Sequence, residues 1–156
     1  MRKLIVVVLI IAVLYGCSAT TFDPSSLDFL VGMTMEDAQE FISLDERMLA
    51  YGYAFATDHN GNPIYLEWEI DEQDQIVFTH VSVFDKRNID NSPSAIKNLE
   101  YGLTISQVVE RIGIPSRIPA TGMFYLEFTD RFGTAYYLSF SARPGEPHRF
   151  GAIVMP

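Results

Sequence analysis

The chain has 156 residues and a formal net charge of −9 at pH 7, and 48% of its residues are hydrophobic and 13% aromatic. This composition is typical of a folded globular protein and excludes a mostly disordered one. Residues 18–90 carry 15 acidic and three basic side chains, whereas residues 91–156 carry five acidic and six basic ones. Nucleic acid needs a basic surface, so the acidic first half excludes it as a partner and allows a basic protein, although solubility alone would also explain the charge.

The amino terminus has the pattern of an export signal. Two basic residues precede an apolar run, Leu4 to Leu14, whose 11 residues fall short of the ~20 needed to cross a bilayer as a helix. Leu14-Tyr15-Gly16-Cys17 then resembles the lipobox of bacterial lipoproteins, in which a small residue is preferred where Tyr15 stands. This resemblance implies that Cys17 is acylated and becomes the new amino terminus.

We therefore predict a signal peptide over residues 1–16 and a lipidated tether over residues 17–26. Cys17 is the only cysteine, so no disulfide can form within the chain and the domain depends on its core. The expected location is the cell envelope, with the protein attached to the membrane through lipid on Cys17. In a Gram-negative cell, the residue after the cysteine indicates the periplasmic face of the outer membrane.

One pattern occurs twice, 70 residues apart in the sequence. Gly32-Met33-Thr34 and Gly102-Leu103-Thr104 each precede a short amphipathic segment, and each threonine is a suitable N-cap. Leu44 to Leu49 either continues the first helix or forms a second one. Alternating and β-branched segments predict six strands, at residues 51–58, 64–71, 76–84, 123–129, 135–141 and 149–154.

We predict an α+β fold of two tandem repeats, each a helix followed by a three-stranded antiparallel meander. The two meanders are expected to form one sheet with the helices packed on one face. The first repeat spans residues 27–90, a linker spans 91–98, and the second repeat spans 99–156.

These motifs resemble a known family. The Gly-x-Thr helix starts, Gly113-Ile114-Pro115 after the second helix and the meanders resemble the BamE (SmpA/OmlA) domain of outer-membrane lipoproteins. The tandem arrangement is similar to the β-lactamase inhibitory protein fold. The first half departs from the pattern, with Ser43-Leu44-Asp45 in place of Gly-x-Pro. The resemblance implies a protein without enzymatic activity that works in outer-membrane assembly or maintenance, or that inhibits an exported enzyme.

Tyrosines and acids at the outward positions of the predicted strands form the candidate protein-binding face. Tyrosine offers a large contact area at a low entropic cost, so such a face suits protein recognition. The same side chains could instead pack against loops or only cover the sheet. The candidate residues are Tyr65, Glu67, Glu69, Tyr125, Glu127 and Tyr137.

The alternative function is an envelope hydrolase or small-ligand binder that uses Glu67, Glu69 and Glu127. Two residues apart on a strand, Glu67 and Glu69 have Cα atoms about 6.6 Å apart, and paired carboxylates catalyse glycoside hydrolysis. Catalysis would need a concave pocket and a carboxyl group with a pKa raised by burial. Alternation with Trp68 instead predicts a solvated face.

No metal or cofactor is expected. Asp58, Asn60, Asn62 and Glu69 match four positions of a calcium-binding loop, but Pro63 stands where the loop needs glycine. The three histidines lie far apart in the sequence and lack the spacing of a zinc site.

Overall fold

The computed structural model describes residues 22–50, 52–119, 124–141 and 146–154. The predicted signal peptide, Cys17 and the first part of the tether lie outside these residues. The helices are α1 (Met35–Ala38), α2 (Pro93–Lys97) and α3 (Ile105–Ile112), with 3₁₀ turns at Asp28–Leu30 and Lys86–Asn88. The strands are β1 (Ile42–Ala50), β2 (Tyr53–Asp58), β3 (Pro63–Ile70), β4 (Ile76–Val83), β5 (Tyr125–Thr129), β6 (Ala135–Ser141) and β7 (Arg149–Val154).

The strands form two separate antiparallel sheets. Their orders are β1-β2-β3-β4 and β5-β6-β7. The predicted α+β fold, two tandem helix-plus-three-strand repeats that form one sheet with the helices packed on one face, is therefore wrong. The described chain is mostly β, its helices are short, and its first sheet has a fourth strand.

The additional strand of the first sheet is β1, which contains the segment Leu44 to Leu49 that the sequence predicts to be helical. Leu44 pairs with Ala56 and Leu49 pairs with Ala54, so both leucines lie across from β2. The register shifts between these two pairs, and the acidic and basic residues of this irregular stretch are exposed. Pairing with β2 thus outweighs the helical pattern of Leu44 to Leu49. The helix that precedes this segment, α1, has only four residues.

The two predicted helix starts are confirmed. The hydroxyl oxygen of Thr34 accepts a hydrogen bond from the Asp37 amide at 3.2 Å. Thr104 forms a full capping box with Gln107: its hydroxyl accepts from the Gln107 amide at 3.2 Å, and the Gln107 side chain accepts from the Thr104 amide at 2.9 Å. These caps satisfy amides that a helix start leaves without partners.

Three hairpins share one turn chemistry. In each, a carboxylate oxygen of the first aspartate accepts hydrogen bonds from the amides two and four residues later, at 2.8–2.9 Å. The fourth residue of each turn has positive φ: Gly61, Asp74 or Gly133. The three aspartates are Asp58, Asp71 and Asp130. The calcium-like pattern at Asp58 is thus a hairpin closed by the protein's own amides.

The two sheets meet through a shared core. One cluster lies on the α1 side of the first sheet and contains Leu30, Ile64 and Phe78. The other contains the apolar stripe of α3 and the inner face of the second sheet, together with the aromatic residues Tyr53, Phe55 and Tyr65 of β2 and β3. The centre of the first sheet is therefore buried on both faces. The predicted linker also contributes, because α2 lies within residues 91–98 and its Ile96 is buried.

Candidate interaction surface

The second sheet has one core-facing side and one open side. The core-facing positions of β5 and β6 are buried: Leu126, Phe128, Tyr136, Leu138 and Phe140. The alternate positions are half-exposed: Tyr125, Glu127, Tyr137 and Ser139. Because side chains alternate along a strand, the second set lies on the face that points away from the core.

The strand register arranges this open face in rows. Glu127 lies opposite Tyr137, and Tyr137 lies opposite Val154, whose side chain is 42% exposed. Tyr125 begins the next row, opposite Ser139. We call the surface formed by Tyr125, Glu127, Tyr137 and Val154 the outer face of the second sheet. Its cross-strand neighbours are close enough for their side chains to act together.

Glu127 and Tyr137 are also linked electrostatically. The hydrogen bond between the phenol and the carboxylate, together with the negative charge, raises the pKa of Tyr137, while the charge of Arg117 acts in the opposite direction. Arg117 is beside Glu127 because residue 117 pairs with residue 127 at the edge of β5. The phenol is therefore neutral at physiological pH and serves as a donor to the carboxylate.

The predicted residues of the first half do not belong to this face. Tyr65 is only 7% exposed, contrary to the expectation of an outward position, because the second core cluster covers its side of β3. Glu67 and Glu69 are exposed. The structure therefore groups Tyr125, Glu127 and Tyr137 on one sheet and leaves the other three candidates on β3.

The carboxyl groups with shifted pKa values do not point to a hydrolase. A hydrogen bond from Arg47 lowers the pKa of Asp45 to about 2, and one from Arg87 lowers the pKa of Asp85. A general acid needs the opposite shift, together with a confined position beside the substrate. The Glu67 carboxylate instead accepts a hydrogen bond from the Tyr65 phenol at 3.2 Å.

Neither a metal centre nor a membrane-spanning helix is found in the described part of the chain. No three histidine, cysteine or acidic side chains there stand close enough together to hold a metal ion. No helix among the same residues combines the length and apolar character needed to cross a bilayer.

Sequence reasoning missed Val154 and Arg117 as members or neighbours of the open face. Both reach Glu127 and Tyr137 only through strand pairing, and the sequence carries no signal for that register. It also missed Tyr53 and His148, whose rings lie 5.8 Å apart between centroids although they are far apart in the chain.

No family model, curated protein or solved structure matches this chain.

Proposed function

We propose that this protein is a lipid-anchored component of the cell envelope that binds another protein through the outer face of its second sheet. The observation that carries the proposal is the side of β5 and β6 that points away from the core, where two half-exposed tyrosines flank an acid. Tyrosine is one of the residue types that are enriched in protein interfaces and among their binding hot spots.

The arrangement is suited to recognition because much of it is held in place before binding. The strand ladder places the backbone of Tyr137 between Glu127 and Val154, and the Glu127 carboxylate interacts with the Tyr137 phenol. A side chain that is already ordered loses less entropy when a partner binds. The Glu127 carboxylate keeps further acceptor capacity for a donor on the partner.

Membrane attachment through Cys17 is the second part of the proposal. The supporting observation is the lipobox-like sequence that ends at Cys17, followed by a polar tether. Metabolic labelling with radioactive palmitate should label the wild-type protein and leave Cys17→Ala unlabelled and no longer bound to membranes. Equal labelling of both forms would contradict the anchor. By the family resemblance, the work of the anchored protein would lie in outer-membrane assembly or maintenance, or in inhibition of an exported enzyme.

Affinity capture from detergent-solubilised envelopes tests the binding face. The wild-type protein should recover a specific partner, and Tyr137→Ala combined with Glu127→Lys should lose it. Glu69→Lys is the matched control, because Glu69 is an exposed acid on a strand of the other sheet. Equal recovery by the double variant, with its fold intact by circular dichroism, would refute the proposed face.

A further inference from the structure

Two strand pairs, one in each sheet, have the same register at positions 72 residues apart in the sequence. In the first sheet Phe55 lies opposite Tyr65, and in the second sheet Glu127 lies opposite Tyr137. The hairpins that join the two pairs also have the same aspartate turn. The tyrosines at matching positions are Tyr53 and Tyr125, and Tyr65 and Tyr137. One face of the first sheet therefore corresponds to the outer face of the second sheet.

In the first sheet, an amphipathic helix covers this face. The apolar stripe of α3 belongs to the same buried cluster as Tyr53 and Tyr65, which are 4% and 7% exposed. Because α3 contacts both β3 and β7, it lies between the two sheets. At the matching positions of the second sheet, Tyr125 and Tyr137 are half-exposed. The structure thus shows how a sheet face with this pair of tyrosines accepts a helix.

One position of the outer face differs in charge from its counterpart. Phe55 is 1% exposed in the core, whereas the matching residue of the second sheet, Glu127, is half-exposed. A carboxylate that a partner covers loses its water and needs an opposite charge or hydrogen-bond donors. Arg117 is nearby, but none of the ion pairs among the described residues includes Glu127. Charge complementarity therefore requires a basic side chain on a partner that covers this face.

We propose that the outer face of the second sheet binds an amphipathic helix of another protein. The apolar stripe of this helix packs on Tyr125 and Tyr137, and a lysine or arginine within the stripe meets Glu127. The inference rests on the proposed function and names the kind of partner. A helix as long as α3, which has 8 residues, is sufficient. Such a helix is ~12 Å long, and β5 and β7 are ~10 Å apart.

A second copy of this chain offers no suitable helix among the described residues. The apolar stripe of α3 is buried in its own core, and α1 and α2 have only 4 and 5 residues. The exposed side chains of α1 include Glu36 and Asp37, which would repel Glu127. The helix is therefore expected to come from a different protein.

Photo-crosslinking from three positions of the face distinguishes a helix from other kinds of partner. Benzoylphenylalanine is placed singly at position 125, 137 or 154 of the full chain in cells, and mass spectrometry locates the crosslinked residues of the partner. A bound helix should give crosslinks within one segment, at spacings of three, four or seven residues. A strand added at the edge of β7 would instead give a spacing of two. The control position is Glu69, which is exposed on β3 and should give no crosslink to this partner.

Reversal of charge tests the contact with Glu127. Glu127→Lys should abolish the crosslink from position 125, because two positive charges would then meet beneath the helix. Replacing the crosslinked basic residue of the partner with glutamate should restore the crosslink. Glu69→Lys is the matched control and should leave the crosslink unchanged, since Glu69 lies on the first sheet.

The outcomes separate this inference from the proposed function. Crosslinks to one partner at a spacing of two residues, or scattered over several of its loops, would support the binding face and overturn the helix. Unchanged crosslinking by a Glu127→Lys protein that is folded by circular dichroism would overturn a helix with a basic residue at this position. No crosslink from any of the three positions would overturn both the helix and the proposed face.

Discussion

Glu127 and Tyr137 lie directly opposite each other on β5 and β6, and their hydrogen bond raises the pKa of the tyrosine. Glu127→Gln should lower the pKa of Tyr137 toward the ordinary value of about 10. Arg117→Ala should raise it further, because the charge of Arg117 opposes the effect of Glu127. Spectrophotometric titration of each variant, with the corresponding Tyr137→Phe protein subtracted, measures this pKa. Identical titration curves for all variants would show that the two side chains do not interact.

Stability should fall in alkaline solution because of two buried tyrosines. Burial raises the pKa of Tyr53 to about 12 and also raises the pKa of Tyr65, whereas an unfolded tyrosine titrates near 10. The folded state therefore holds these protons more tightly. Its stability should be fully present below pH ~10 and be lost as the pH rises toward the folded pKa values, by about 3 kcal/mol for Tyr53 alone. Urea unfolding at several pH values should show a smaller decrease for Tyr53→Phe, and an unchanged decrease would contradict this explanation.

The hairpin aspartates should differ in importance. Asp71→Ala removes two hydrogen bonds to turn amides at 2.8 and 2.9 Å in an exposed hairpin, and should lower the free energy of unfolding by about 1–2 kcal/mol. Asp130→Ala should lower it more. Asp130 is only 4% exposed and also accepts a hydrogen bond from the Tyr136 phenol at 3.3 Å. Chemical denaturation of both variants gives the comparison, and an equal or smaller loss at Asp130 would show that its burial adds nothing.

Asp130 should also make the fold sensitive to acid. Burial acts to raise its pKa, but hydrogen bonds from Thr134, Phe132 and Tyr136 outweigh burial and lower it. The stability that Asp130 contributes is therefore present above its unfolded pKa near 4 and is lost as the pH falls through the lower folded value. Thermal unfolding between pH 7 and pH 2 should show a weaker acid dependence for Asp130→Asn than for the wild type. The same acid dependence in both proteins would assign the effect to other carboxyl groups.

The turn residues with positive φ offer a matched pair of substitutions. Gly133 has φ of 86°, and a Cβ added there meets no atom within 4 Å, so Gly133→Ala tests backbone strain alone. It should cost about 1–2 kcal/mol. Asp74 occupies the equivalent turn position with φ of 60°, so Asp74→Gly should cost less than Gly133→Ala or even stabilise the fold. Denaturation curves of both variants measure the change in the free energy of unfolding. A larger decrease for Asp74→Gly than for Gly133→Ala would contradict the shared turn geometry.

Local features of the fold could be predicted from the sequence. Alternating apolar residues and β-branched segments located the six predicted strands, and Thr34 and Thr104 marked the two helix starts. The number of sheets could not be predicted in this way. Leu44 and Leu49 become part of a strand only because β2 lies beside them, and a contact of that kind leaves no local pattern in the sequence.

Only part of the candidate site could be predicted, because contacts between distant segments leave no local pattern in the sequence. Alternation correctly placed Tyr125, Glu127 and Tyr137 away from the core of the second sheet. Tyr65 obeys the same alternation in the first sheet, yet it is buried because the second half of the chain packs on that side. Alternation identifies the face on which a side chain lies. Whether another element covers that face depends on tertiary packing.

Site-specific photo-crosslinking in cells tests the central claim most directly. A photoreactive amino acid at position 137 should crosslink to one discrete partner protein, and the same group at Glu110, an exposed position on α3, should not. Crosslinking at both positions to the same set of proteins, or no crosslink at position 137 in a folded and membrane-attached protein, would contradict binding through the outer face of the second sheet.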